Sequence, residues 1–308
     1  MLTVLRAGPS ILLQDLGRYG VAHFGLSQGG PMDLHAFCWA NTLLNNPPNA
    51  SCLEITLGLC AFQFQSPTDF TLCGADANSK LNDASIQHWQ THRANAGDVL
   101  TISGFKSGNY LYLAVKDGFK VPNTLNSQST VIRNQLGGLY GDGLALQNQD
   151  ELPYQIHTQP LKMKALSTRH IPNYNANLTL HVLPSYQFHQ FEAEAKATFF
   201  QSGYTVTQKC NRMGYCLNGA PINSHLNGVI SEGIVLGAIQ ITNAGQPIVL
   251  MSDRQTIGGY PKMGVVMKTD LFRFSQARFG QQIHFKQGHF DVANLKWRKF
   301  RQFFGVQC

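Results

Sequence analysis

The sequence predicts an all-β protein with a few short helices, built from two related β-rich halves. Short apolar runs alternate with turns along the chain, where 29 glycines and 13 prolines are spread among 308 residues, a pattern typical of β-barrels and sandwiches. The pattern R-x-G-x4-G also occurs twice, from Arg18 to Gly25 and from Arg212 to Gly219. In each half a glutamate, a Leu-Gly pair and an apolar run that ends at an aspartate follow in the same order. These shared features predict an internal duplication.

Eight short apolar runs fit β-strands, because turn residues bound each of them and apolar side chains dominate each of them. In chain order they are residues 61–65, 70–73, 99–103, 110–115, 178–183, 235–241, 248–251 and 282–286.

Three segments have the spacing of helices. Asp33 is placed to cap the first, which the Asn-Asn-Pro-Pro sequence at 45–48 stops. Phenylalanines recur at steps of three and four from Phe188 to Phe199 in the second, and the third covers residues 270–278. We therefore expect short helices among the strands rather than a helical domain.

The polar stretch 157–177 separates the two halves. It contains Pro160 and Pro172 and shows no period, so we place the boundary there and predict domains of residues 1–170 and 171–308. Two related units leave a cleft between them, and clefts at domain interfaces are favoured ligand sites.

The composition argues against several classes of protein. Charged residues make up 13% of the chain, against a typical value of about 25%, and the net charge of +7 comes from few acids rather than many bases. The most basic stretch, 296–301, fits a solvated terminal helix better than a nucleic-acid surface. Seven cysteines without regular spacing do not form a disulfide framework. No run is long and apolar enough for a membrane span and no signal peptide is apparent, so we expect a cytoplasmic protein.

The strongest local signal for a binding site begins at Asp253, directly after the apolar run 248–251. Arg254 follows, then Gly258 and Gly259, and then Tyr260. Charged side chains would stand at the end of a strand, and glycines allow a positive φ at which successive N–H groups converge on an anion. The same spacing also fits a tight structural turn in which the aspartate and the arginine pair with each other.

Arg18 and Arg212 open the two repeats, and the sequence allows two roles for each of them. An arginine beside a glycine turn suits bidentate recognition of a carboxylate or a phosphate, and it also suits bracing of two loops through carbonyl oxygens. A buried Glu54 or Glu232 would need a partner, and the arginine of the same repeat is the expected one.

Three further side chains are candidates for chemistry. Asp76 and Asp253 each follow an apolar run, where an aspartate is a candidate general base or Mg²⁺ ligand or a backbone cap. Gln240 is a polar residue within an apolar run, so it is either a satisfied core amide or a ligand contact.

Seven segments of the chain carry a resemblance to a known family. They are 13–20, 30–33, 53–55, 74–76, 211–215, 237–240 and the run Asp-Arg-Gln-Thr-Ile-Gly-Gly-Tyr-Pro at 253–261. Taken together, these segments resemble the allophanate hydrolase subunit 2-like family, and the likeness runs from about Leu2 to Lys286. Members of this family include the C subunit of bacterial 5-oxoprolinase, the Kip antagonist protein and the carboxyltransferase region of urea carboxylase.

The resemblance implies a fold, a reaction and partners. The fold is two cyclophilin-like β-barrel domains. The reaction is conversion of 5-oxo-L-proline to L-glutamate with hydrolysis of ATP, where ATP with Mg²⁺ occupies a site on this chain or one shared with partners, and no biotin is carried on this chain. The partners are the B subunit of 5-oxoprolinase, which is allophanate hydrolase subunit 1-like, and the A subunit. The family also leaves two alternatives, a carboxyltransferase that moves CO₂ from carboxybiotin to a urea-like nitrogen and a regulator that binds a kinase-inhibitor protein.

For the implied reaction we assign hypothetical roles to nine residues, and no metal ligand set is assigned. The catalytic candidates are Asp253, Asp76 and Arg212, and the candidates for binding substrate or phosphate are Arg18, Gln240, Arg254, Gly258, Gly259 and Tyr260.

Overall fold

The structure is a computed structural model that describes residues 1–224 and 229–307; Cys308, one of the seven cysteines, lies outside the described residues. The chain divides into two compact units. The first comprises Met1–Arg18, Gly29–Tyr174 and Phe304–Cys308, and the second comprises Tyr19–Gln28 and Asn175–Phe303. The division of the sequence into domains 1–170 and 171–308 stays a prediction.

The first unit is an antiparallel sheet of nine strands with one α-helix. The strand order is β2-β3-β8-β4-β1-β9, and β5 pairs with β6, β7 and β8, so the long strand β8 contacts β3, β4 and β5. Single 3-10 turns occur at 132–134 and 168–170. The elements are β1 (Leu2–Arg6), β2 (Ser10–Gln14), α1 (Leu34–Leu43), β3 (Cys52–Thr56), β4 (Cys60–Phe64), β5 (Thr68–Leu81), β6 (Ala84–Ile86), β7 (Thr91–Ala94), β8 (Val99–Val115) and β9 (Glu151–Leu152).

The helix α1 begins where its cap predicts. The Asp33 side chain accepts a hydrogen bond from the backbone N–H of Ala36 at 3.1 Å, which satisfies one of the unpaired donors of the first turn. The helix packs on the sheet, where the Phe37 ring meets Tyr112 edge to face at 6.2 Å. Burial of a side chain of this size contributes about 1.5–3 kcal/mol, so this contact helps to hold the helix against β8.

The second unit is a closed seven-stranded barrel. Its strand order is β10-β17-β14-β15-β12-β11-β18, and a parallel pairing of β18 with β10 closes it. A separate two-stranded sheet joins β13 and β16. Single 3-10 turns occur at 22–24 and 188–190. The elements are β10 (Leu178–Pro184), α2 (Ala193–Gln201), β11 (Gly203–Cys210), β12 (Gly214–Gly219), β13 (Glu232–Gly233), β14 (Ala238–Ile241), β15 (Pro247–Leu250), β16 (Ile257–Gly258), β17 (Lys262–Val266), α3 (Lys268–Ser275), β18 (Gln282–Gln287) and α4 (Phe290–Phe304).

Buried and more exposed side chains alternate along the strands of the barrel. Along β10, Leu178, Leu180 and Val182 are buried; along the neighbouring β18, Ile283 and Phe285 are buried and the residues before and after each of them are exposed. Because successive side chains of a strand point to opposite faces, one face of each strand supplies the core of the barrel.

The predicted fold class is confirmed: the described chain is mostly β with four short α-helices. The second unit is a closed barrel, whereas the described strands of the first unit form a sheet that does not close on itself. The bounds of several predicted elements were wrong. The runs 99–103 and 110–115 belong to the single strand β8, and the phenylalanine-rich segment is a 3-10 turn followed by α2 rather than one helix. No helix within the described ranges has the length and hydropathy needed to cross a membrane.

Candidate functional site

The candidate site lies on the second unit, where β14 and β17 pair beside the two-stranded sheet. Gln240 on β14 is the cross-strand partner of Lys262 on β17, next to a register shift at Ile239. The Gln240 side chain is 2% exposed, and its Nε2 has no hydrogen-bond partner among residues 1–224 and 229–307. An unpaired buried donor costs about 1–3 kcal/mol, so this amide is poised to donate to a ligand.

Gly258 lies directly against this amide. A Cβ at residue 258 would stand 2.8 Å from Gln240 Nε2 and 2.4 Å from Ile234 Cδ1, so a side chain there would displace the ends of both. The left-handed backbone that we expected for Gly258 and Gly259 is wrong, because neither residue has a positive φ. Gly258 instead lies in β16, extended and paired with Glu232.

Lys262 and Glu232 form an ion pair beside the amide. The lysine side chain is 7% exposed, and burial lowers its pKa. The Glu232 carboxylate also accepts hydrogen bonds from the Tyr186 hydroxyl and, at 3.0 Å, from Gln187 Nε2. Gln187 in turn accepts from the backbone N–H of Lys262 at 2.7 Å. Glu232 was expected to pair with the arginine of its own repeat, and its partner is Lys262 instead because β13 and β17 bring the two together.

Arg254 supplies a second cation, which is partly buried. Its Nε donates to the Ile234 carbonyl at 3.2 Å and its Nη1 to the Met251 carbonyl at 3.5 Å. Within the described part of the chain no carboxylate lies at ion-pair distance from it. Burial lowers the pKa of the guanidinium to about 10, although the charge of Asp253 acts in the opposite direction. Arg254 therefore remains a cation at neutral pH, and such a guanidinium suits an anionic group of a ligand.

Arg212 and Asp253 are bound to each other. Arg212 Nε and Nη2 donate to the two carboxylate oxygens of Asp253, each at 2.8 Å, and the side chains are 11% and 8% exposed. The backbone N–H of Asp253 also donates to the Arg212 carbonyl at 2.8 Å. Ser27, which belongs to this unit, donates to the Arg254 carbonyl at 2.9 Å. This geometry fastens the loop that carries Arg254.

The remaining residues of the predicted loop lie at its exposed side. The Gly259 carbonyl accepts from the backbone N–H of Val229 at 2.9 Å. The Tyr260 side chain is 39% exposed and closely precedes the buried strand β17.

Arg18 and Asp76 belong to the first unit. Arg18 is 1% exposed, and its Nη2 donates to the Ser129 carbonyl at 2.6 Å. Asp15 accepts from the Ser127 and Ser129 hydroxyls at 2.6 and 2.7 Å, so both charged residues hold the same loop. Asp76 is exposed on β5 at a bulge. The other candidates, which are Arg212, Gln240, Asp253, Arg254, Gly258, Gly259 and Tyr260, lie in the second unit.

Sequence reasoning missed Lys262, Gln187 and Tyr186. Lys262 directly follows the run 253–261, and a lysine at the start of an otherwise apolar strand was the available signal. No signal in the sequence marked Gln187 and Tyr186, because only the fold of the barrel brings them to Glu232. Within the described ranges no three His, Cys, Asp or Glu side chains converge in a way that would hold a metal ion.

Comparison with known proteins assigns the chain to a family. Residues 24–287 match the family described as carboxyltransferase domain, subdomain A and B. The chain belongs to this family. It is 34% identical to the C subunit of the Escherichia coli 5-oxoprolinase over 98% of this chain and 96% of the relative, and 33% identical to that of Haemophilus influenzae over 93% and 91%. The crystal structure of the Kluyveromyces lactis urea carboxylase superposes with a TM-score of 0.90 at 25% identity; the match covers 98% of this chain and 29% of that one.

Proposed function

We propose that this chain is the C subunit of an ATP-dependent 5-oxoprolinase, which opens 5-oxo-L-proline to L-glutamate together with the A and B subunits. The observation that carries the proposal is the 34% identity to the C subunit of a 5-oxoprolinase over nearly the whole of both chains. Because each chain is covered almost completely, the two share one domain plan.

The chemistry of the second unit supports this reaction. Opening a five-membered lactam is unfavourable near neutral pH, so coupling to ATP has a physical reason. Phosphorylation of the amide oxygen would activate the carbonyl carbon toward water, and the developing negative charge would need cations and N–H donors around it. Arg254 and the amide of Gln240 are of that kind. We propose that Gly258 and Gly259 let the substrate approach, that Tyr260 orients it, and that ATP with Mg²⁺ binds at a site shared with the partners.

Reconstitution tests the proposal. The purified chain is mixed with the A and B subunits from the same organism, and glutamate release from 5-oxoproline is followed with ATP and Mg²⁺. We expect release only when all three proteins and ATP are present. Equal glutamate release with this chain omitted would refute its assignment to the enzyme.

A carboxyltransferase is the second candidate. The family description and the similarity to the urea carboxylase structure favour it. Carboxyl transfer would require carboxybiotin on another chain, so the same mixture would then need a biotin carrier and a urea-like acceptor rather than 5-oxoproline.

A further inference from the structure

We infer that Lys262 is the proton donor to the lactam nitrogen, with Glu232 as the group that holds it in place. The inference rests on the proposed function and adds a catalytic residue to it. Lys262 and Gln240 are cross-strand partners on β17 and β14. Side chains of such a pair project from the same face, with Cβ atoms about 4.5–5.5 Å apart. An ammonium group and an unpaired amide donor are therefore neighbours on one buried surface.

The surroundings of the ammonium group fit a donor rather than a surface charge. Lys262 is shielded from solvent, and the Glu232 carboxylate is its one ionic partner among the described residues. Tyr186 and Gln187 fix the orientation of that carboxylate. Gln187 is 3% exposed and binds both Glu232 and the Lys262 backbone, so it couples the position of the carboxylate to that of the lysine.

The position of Lys262 relative to Gln240 matches the geometry of a lactam. The ring carbonyl oxygen and the ring nitrogen are attached to the same carbon, so a ligand that accepts from Gln240 Nε2 through its oxygen presents its nitrogen close by. Gly258 leaves room for such a flat group because a side chain there would contact Gln240. Lys262 is the cation on the adjacent strand at this point.

Proton transfer from Lys262 completes the opening of the ring. After water has added to the activated carbon, the C–N bond breaks and its electron pair moves to the nitrogen. Lys262 Nζ supplies the proton that converts this nitrogen into the amine. The hydroxyl on the same carbon becomes a carbonyl and releases its proton to water, and water returns a proton to Lys262. The carbon keeps the phosphate as an acyl phosphate, and hydrolysis by a second water then gives the carboxylate of glutamate and inorganic phosphate. A lowered lysine pKa assists this transfer, because the ammonium group is then a stronger acid and gives up its proton more readily.

Variants of the reconstituted complex test this inference. Lys262→Met should lower kcat for glutamate release by about 10²–10⁴-fold, the usual contribution of a general acid, with a much smaller change in KM. The alkaline limb of the pH–rate profile, which reports the loss of the donor proton, should disappear, and added methylammonium should restore part of the rate. Lys286→Met on the exposed side of β18 is the matched control and should keep the wild-type kcat.

Two outcomes separate the inference from the proposed function. A wild-type complex that releases no glutamate would refute the function and the inference with it. An active wild type combined with an unchanged kcat in Lys262→Met would refute the inference alone. Because the single change leaves Glu232 without its cation, the double variant Lys262→Met/Glu232→Gln is measured as well; equal kcat losses in a folded double variant support the inference, and recovery of kcat there would refute it.

Discussion

The arginines of the two repeats bind different partners although they occupy the same motif. Arg212 is held by the Asp253 carboxylate through two hydrogen bonds, whereas Arg18 donates to the Ser129 carbonyl. Both arrangements fasten one loop to another. A catalytic role of Arg212 and Asp253 stays a prediction, and stability measurements can separate it from a bracing role.

Removal of one member of the Arg212–Asp253 pair should destabilise the second unit. Asp253→Asn or Arg212→Met leaves one buried charge uncompensated, and breaking such a pair costs about 3–5 kcal/mol. Urea unfolding of the variants measures this loss. The double variant Arg212→Met/Asp253→Leu should recover much of it, because no unpaired charge remains. Wild-type stability of the single variants together with a large fall in kcat would contradict the brace and favour direct action in chemistry.

A methyl group at residue 258 should disturb catalysis more than folding. In Gly258→Ala the new Cβ would meet the ends of two side chains, Gln240 Nε2 and Ile234 Cδ1, which can rotate away. We therefore expect a melting temperature near that of the wild type and a KM for 5-oxoproline raised by about tenfold, the effect of about 1.4 kcal/mol of lost binding. Gly233→Ala on the paired strand is the control, since no atom of residues 1–224 or 229–307 lies within 4 Å of a Cβ placed there. Equal KM values in the two variants would contradict a role of the Gln240 amide in binding.

At the scale of elements, the sequence predicted the strands and helix caps that depend only on residues close together in the chain. The run 178–183 has regularly spaced apolar residues and forms most of β10, and Asp33 is the cap of α1. The runs 99–103 and 110–115 are separated by two glycines and by polar residues, yet β8 continues through them because β5 pairs along its length with bulges. Gly237 has a φ of 81°, so the strand predicted from residue 235 begins only after it, at Ala238.

A partly buried histidine beside β5 should make the stability of the protein depend on pH. His88 precedes β7, and its Nε2 is 2.9 Å from the Ser79 hydroxyl on β5. Burial lowers the pKa of His88 to about 4, despite the opposing charge of Asp76. The unfolded chain therefore binds a proton first, and stability is lost as the pH falls from about 6.5 to about 4, by at most about 3 kcal/mol.

Urea midpoints across this pH range measure the effect. His88→Gln, which does not titrate, should lose less stability on acidification than the wild type. His284→Gln, an exposed change on β18, should retain the full pH dependence. An identical pH dependence in all three proteins would contradict the assignment to His88.

At the scale of the whole molecule, the sequence predicted one part of the candidate site and missed another. The residues from Asp253 to Tyr260 are contiguous, so a single motif was enough to mark them. The Lys262–Glu232 pair with Gln187 joins parts of the chain that are 30 and 75 residues apart, counted from Lys262. Only closure of the barrel and pairing of β13 with β16 bring them together, and neither is encoded in local spacing.

The choice between lactam opening and carboxyl transfer is also made at this scale. Biotin is a carrier of carboxyl groups, and a transferase needs both the carrier and a source of CO₂. Lactam opening needs only water, ATP and the substrate.

If the chain acts in an oxoprolinase, avidin should leave glutamate release by the three-protein complex unchanged, and removal of bicarbonate should have no effect. A biotin-dependent carboxylase assayed in parallel should lose its activity with avidin. Inhibition of both enzymes by avidin would show that the reaction of this chain needs a biotin carrier. Avidin binds biotin and does not bind the cations and the amide that we assign to the substrate.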